Sequence, residues 1–254
     1  MIAIRGLMDK RFVIVTPGRT GSSLLAAMLS DSGAEFGIGA DDWDPSVGAF
    51  EHPDLIAAVG SFSKARQLGV DRPLAPKKFL WDVYRHIGKA RLKKIVQRVE
   101  YLKGPDLDLI VRPIFKLGYF PQVIVNFRAF FGQAQSLSMQ SAHLGFEALH
   151  ERYCRIASNA FLQITTFGGC VIDYDDIVDP ENDDWIGNLA ALTGLDADRL
   201  RQARKARSKT RPEEEPGYEM DCRASRLHAD LQGLRGTVFQ PSRVALRRFT
   251  KHPD

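Results

Sequence analysis

The chain has 254 residues, 44% of them hydrophobic and 26% charged, so it can bury one substantial core. It carries no linker, low-complexity tract or internal repeat, which excludes solenoids and propellers. The formal net charge of +4 is too small by itself to imply a nucleic-acid partner. No stretch approaches the ~18 apolar residues of a membrane span, and residues 1–10 lack the apolar core of a signal peptide, so the expectation is one cytoplasmic domain over residues 1–254 with no membrane span. Cys154, Cys170 and Cys222 are odd in number and lack CxxC or Cys/His spacing, which argues against a disulfide framework or a structural zinc site.

In chain order, Arg11-Phe-Val-Ile-Val-Thr16 is a β-branched run stopped by Pro17-Gly18, and Gly21-Ser22-Ser23 opens an apolar-periodic stretch at Leu24, Leu25, Met28 and Leu29. This reads as strand, loop, helix. Helices are expected over Pro53 to Leu68, Asp82 to Leu102, His143 to Ile164, Asn182 to Leu192 and Asp196 to Ala206, with Gly69, Gly104, Gly168 and Gly194 near their ends. Gln122-Val-Ile-Val-Asn-Phe127 and Gly169-Cys-Val-Ile-Asp-Tyr174 read as further buried strands. The polar stretch from Thr210 to Gln240, with Pro212, Pro216 and Gly217, reads as loops over one edge of the core. Short strands among long helices predict an α/β protein of three layers, a central mainly parallel sheet flanked by helices.

The segment from Pro17 to Leu24 lies between a buried strand and a helix start, where free backbone N–H groups and the positive helix end favour an anion. Gly21 permits close backbone approach, Ser22 and Ser23 add hydroxyls, and Arg19 adds a permanent charge that binds oxygens in pairs. Gly21 is followed by Ser22 where a Walker A loop needs lysine, so ATP hydrolysis loses its main support. A plain Gly/Ser turn that opens a helix is the competing reading.

Arg19-Thr-Gly-Ser-Ser-Leu-Leu25 resembles the phosphate-binding loop of sulfotransferases that use 3′-phosphoadenosine-5′-phosphosulfate (PAPS). Val123-Ile-Val-Asn-Phe-Arg128 with Ser136 resembles the family's second block, a strand that ends in arginine with a serine on the following helix. Gln133-Ala-Gln-Ser136 and Lys78-Phe-Leu-Trp81 are similar to segments of the bacterial trehalose-type subgroup, and Val171 to Pro180 resembles a strand with an acidic turn. The resemblance spans Arg11 to about Leu195. It implies the P-loop NTPase-like sulfotransferase fold, with a core over about 11–195 and residues 196–254 covering the nucleotide side.

The resemblance further implies that Arg19, Thr20, Gly21, Ser22, Ser23, Arg128 and Ser136 bind the donor, with Arg128 and Ser136 on its 3′-phosphate. On the same resemblance the expected product is adenosine 3′,5′-bisphosphate (PAP), the expected acceptor is a hydroxyl or amine of a carbohydrate, lipid or small molecule, no metal is expected to be required, and a homodimer is allowed. Arg19 fits the role of stabilising the departing oxygen. For the base, Glu51 in Gly48-Ala-Phe-Glu-His-Pro53 comes first, with Asp42 and His52 in reserve; the competing reading is a carboxylate at a helix N-terminus. Lys78 is expected to reach the sulfate or acceptor, with Trp81 as an acceptor wall, against the alternative of a surface lysine at a strand edge.

Asp175 and Asp176 read as a helix-opening turn more readily than as metal ligands, and His143, Glu147 and His150 on one helix face do not make a metal site alone. The basic run Arg199, Arg201, Arg204, Lys205, Arg207, Lys209 and Arg211 is either a solvated face or an anion-facing patch, and Arg207, Ser208 and Lys209 fall where the family draws further phosphate contacts. Two other functions stay open: a nucleotide-dependent kinase with a degenerate loop, and a non-catalytic nucleotide-binding member of the same fold.

Overall fold

The computed structural model describes residues 8–38, 49–69, 75–138, 145–206 and 222–242. Its sheet contains β1 (Lys10–Val15), β2 (Tyr101–Lys103), β3 (Phe120–Phe127) and β4 (Gly169–Asp173) in the order β2-β1-β3-β4, every neighbouring pair parallel. Around it lie α1 (Ser22–Asp31), α2 (Pro53–Gly69), α3 (Ala75–Val96), α4 (Val111–Lys116), α5 (Phe130–Ser138), α6 (Phe146–Phe167), α7 (Tyr174–Val178), α8 (Asp184–Thr193), α9 (Ala197–Ala206) and α10 (Cys222–Gln232).

Successive side chains of a strand point to opposite faces, and β1 divides its apolar residues accordingly. Val13 and Val15 join Leu55 of α2, Leu92 of α3, Ile114 of α4, Ile156 of α6 and Ala224 of α10 in one core. Phe12 and Ile14 join Leu25 of α1, Leu189 of α8 and Leu200 of α9 in the other. Both faces are therefore covered by helices, as the continuous apolar strands of an all-parallel sheet require. No helix among the described residues is long and apolar enough to cross a membrane.

Four buried polar or charged residues stand at the carboxyl end of the sheet. Thr16 follows β1, Lys103 closes β2, Asn126 is next to last in β3 and Asp173 closes β4, each at most 3% exposed. Burying polar groups costs free energy unless they find partners, and Gln122 near the amino end of β3 finds one in the Phe167 carbonyl at 3.0 Å, while the four at the carboxyl end form a group of their own, candidates for a site.

Two expectations need correction. The helix expected over Asp82 to Leu102 begins at Ala75, ends at Val96, and gives way to β2, so Gly104 ends a strand and not a helix. Three residues are too few to display a two-residue period, and pairing with β1 settles their state. The stretch from Thr210 to Gln240 was expected to be loops and contains α10, whose Ala224, Leu227 and Leu231 at helical spacing pack into the first core.

Candidate functional site

The chain leaves β1 for β2 on one side and leaves β3 for β4 on the other, so the connections diverge between β1 and β3. In open parallel sheets, the crevice outside the strand ends at such a point is where ligands bind. The loop after β1 and Arg128 after β3 flank this crevice.

The loop turns through left-handed residues Gly18 (φ 93°), Arg19 (φ 55°) and Gly21 (φ 74°). Arg19 holds that conformation despite its Cβ, the kind of local strain that collects at ligand-binding turns. α1 starts with Gly21 at its N-cap, with no side-chain cap bond and no acidic residue in its first turn. Its positive end is thus left without a carboxylate of its own.

A relay of hydrogen bonds fixes the loop. The Gly18 N–H donates to Thr16 Oγ1 (3.0 Å), the Thr16 and Thr20 hydroxyls are 2.6 Å apart, and Thr20 donates to Asn126 Oδ1 (2.6 Å). Because Thr20 spends its proton on Asn126, Thr16 is the donor between the two hydroxyls. Thr20 is fully buried, so its hydroxyl holds the loop. Gln133 of α5 adds a second tie, donating from Nε2 to the Pro17 carbonyl at 2.7 Å.

Arg19 Nε donates to Ser136 Oγ at 2.9 Å, across 117 positions of sequence. The Arg128 guanidinium lies 4.5 Å from the centre of the Tyr174 ring, and the edge of that ring lies against Gly21, where an added Cβ would meet Tyr174 Cδ2 at 2.9 Å. Tyr174 is the common neighbour of the loop and the β3 tip. Arg19, Gly21, Arg128 and Ser136 therefore border one crevice.

Glu51 lies in the loop before α2, at the carboxyl end of β2 next to β1, and is presented by Phe50, a buried residue with φ 62° that packs on Phe36 with ring centres 5.3 Å apart. Glu51 Oε1 accepts from Lys103 Nζ at 2.7 Å, and the same ammonium donates to Ser23 Oγ at 3.1 Å and to the Ala49 carbonyl at 2.7 Å. Burial depresses the Lys103 pKa below the usual lysine range, against the opposing charge of Glu51. Three acceptors satisfy its three protons, so a side chain only 3% exposed stays compensated. Lys103 joins Glu51 to Ser23 at the start of α1 and is a residue that sequence reasoning missed. Its sequence signal is slight: a Tyr-Leu pair, then lysine, then the breaker Gly104-Pro105.

No protein-family model, curated protein or solved structure matches the chain.

The remaining candidates lie as follows. Lys78 is exposed near the start of α3, a helix whose main partners are α2 and α4, so it belongs to a helix and not to a strand edge. Trp81, one turn on, carries the Arg85 guanidinium 4.6 Å from its ring. His52 Nδ1 accepts from the Asp54 N–H at 3.2 Å while its carbonyl receives Leu55 and Ile56, which is a capping role at the start of α2. Ser22 is buried and Ser23 exposed at the opening of α1.

Asp175 and Asp176 form the first turn of α7, with Asp176 bonded to Asn182 (2.9 Å) and Arg235 (3.2 Å). Glu147 opens α6, and His150 Nε2 lies 3.5 Å from Cys154 Sγ. In the basic run, Arg204 is buried and donates to Asp183, and Arg201 donates to Asp198 at 2.7 Å. Asp42, His143, Arg207, Ser208, Lys209 and Arg211 lie outside the described residues.

Asp173 caps α7 by accepting from the Asp175 N–H, with Gln232 of α10 at 3.4 Å and Arg235 at 3.7 Å from its Oδ2. Burial pushes its carboxyl up to about 6, and the charge of Asp175 adds to this, against the bonds from Asp175 and Gln232. Since the folded pKa lies above the ordinary 3.8, the folded chain binds the extra proton between these values. The contribution of Asp173 to stability is then most favourable below pH about 4, falls as pH rises to about 6, and stays reduced above. Asp173→Asn keeps the cap acceptor and removes the titration. Urea unfolding is expected to show the variant stabler than wild type by about 1–3 kcal/mol at pH about 7 and equal at pH about 4. A wild-type advantage at pH 7 would contradict this.

Proposed function

We propose that the chain is a PAPS-dependent sulfotransferase of the P-loop NTPase-like type, which acts on a hydroxyl or amine. The observation that carries the reading is the single crevice at the β1/β3 switch point. A strained glycine loop and Arg19 stand on one side of it and Arg128 and Ser136 on the other, and Lys103 at the end of the neighbouring β2 ties the Glu51 carboxylate to Ser23 at the start of α1.

Arg128 and Ser136 take the 3′-phosphate, while the main-chain N–H groups of residues 20 to 23 and Arg19 take the 5′ end of the donor. Glu51 accepts the proton of the acceptor O–H or N–H as that atom bonds to sulfur. The bond between sulfur and the bridging oxygen breaks, and PAP leaves with the electron pair, its new charge held by Arg19 and the loop. Lys103 positions Glu51 against the loop and balances its charge.

Calorimetry with PAP in the presence of a chelator tests the assignment. Arg19→Ala and Arg128→Ala are each expected to weaken binding by ~1.5–3 kcal/mol, the loss of one charge-assisted hydrogen bond. Binding that required magnesium and favoured ATP over PAP would instead identify a kinase, and absence of nucleotide binding would end both readings.

A further inference from the structure

Arg128 is held at both ends. It follows β3 directly, and the hydroxyl of the buried Tyr153 of α6 donates to its carbonyl at 3.2 Å. At the other end, the guanidinium lies over the face of the Tyr174 ring, while the edge of the same ring lies against Gly21. One side chain therefore spans from the β3 tip to the start of α1.

Packing of the fold does not account for this ring. Tyr174 is half-buried and belongs to neither of the two apolar cores, whereas Ile177 and Val178 of the same helix are buried. α7 takes its position from those two side chains and from the Asp173 carboxylate, which accepts from the Asp175 N–H at 3.3 Å. The ring instead packs on a cation and on a glycine, at the one place where the loop leaves room for it. An arginine that meets a phosphate loses the freedom of several side-chain torsions, and a stack that fixes it beforehand lowers that cost.

We propose that Tyr174 is a positioning residue that acts through Arg128: its ring presets the guanidinium for the 3′-phosphate and keeps it in register with the loop. The inference rests on the nucleotide reading, but the residue and its mode of action are additional to that reading.

The test is calorimetry of the preference for PAP over adenosine 5′-monophosphate in wild type, Tyr174→Phe, Tyr174→Leu, Arg128→Ala and Tyr174→Leu/Arg128→Ala. Taking the ratio cancels any change at the 5′ end, which both nucleotides share. Tyr174→Leu is expected to lose about threefold to tenfold of the preference, and Tyr174→Phe, which keeps the ring, less than about twofold. With Arg128 already removed, Tyr174→Leu is expected to change the preference by less than about twofold, as befits a residue that works through another. Additive losses would make Tyr174 a direct contact of the nucleotide and overturn the proposal, as would equal losses in the phenylalanine and leucine variants. Melting of each variant confirms that the fold is kept, and Tyr174→Met, which keeps bulk without a ring, replaces the leucine variant if that one does not fold. A preference that depends on Arg128 and not on Tyr174 sinks the inference alone. A wild type without any preference ends the nucleotide reading, and the inference falls with it.

Discussion

Glu51→Gln is expected to lower sulfuryl transfer from labelled PAPS by about 10²–10⁴-fold while leaving PAP affinity within about twofold of wild type. The substitution keeps the shape of the side chain and an oxygen for Lys103, so the turn at Phe50 and the tie to Ser23 persist. What it removes is the ability to take a proton. The acceptor for the assay comes from screening alcohols and amines with the wild-type chain. Undiminished transfer would show that the base lies elsewhere, with His52 the next residue to substitute. A parallel loss of PAP binding would mean that Glu51 organises the loop and does no proton chemistry.

Gly169→Ala is expected to destabilise the fold by more than about 4 kcal/mol and to leave most of the chain insoluble. Gly169 opens β4 at φ 148°, in register with Val123 of β3. A Cβ there would stand 1.8 Å from the Val123 carbonyl oxygen and 2.7 Å from its carbon, both main-chain atoms that cannot move without breaking the sheet. The same residue exchanges hydrogen bonds with Phe239, N–H to carbonyl at 3.0 Å and carbonyl from N–H at 2.7 Å, so the disturbance would reach the segment after α10. Gly187→Ala serves as the contrast: its Cβ meets nothing within 4 Å inside α8, and the variant is expected to be neutral or stabler by up to ~1 kcal/mol. Urea unfolding of the two variants side by side checks the β3/β4 register, and a soluble Gly169→Ala with wild-type stability would contradict it.

These residues also show which parts of the structure were legible beforehand. β1, β3 and β4 were readable because each holds a run of at least three apolar or β-branched residues followed by Pro, Gly or a charged turn. Gly168 and Gly194 announced the ends of α6 and α8 through their positive φ. The strand, loop and helix start from Arg11 to Leu29 were readable from the β-branched run, its Pro-Gly stop and the apolar period that follows, whereas Arg128 and Ser136 were singled out through the resemblance, and the structure puts them just after β3 and on α5.

The lysine was not legible. Local similarity drew attention to Lys78, two residues after Pro76 in the first turn of α3, where proline is a helix-start signal that the expected boundary at Asp82 overlooked. The lysine bonded to Glu51 and Ser23, Lys103, sits in a strand of three residues whose pairing with β1 is non-local and leaves no period to read. Likewise, the partnership of Arg19 with Ser136, and Tyr174 between Arg128 and Gly21, depend on tertiary packing that no sequence window contains.

The most direct measurement is the ratio of affinities for PAP and for adenosine 5′-monophosphate, which differ only in the 3′-phosphate, in wild type and in Arg128→Ala. The account predicts that wild type prefers PAP by at least about tenfold and that Arg128→Ala loses most of this preference while binding the monophosphate as before. A preference that survives the substitution intact would place the 3′-phosphate outside the crevice between β1 and β3 and contradict the account.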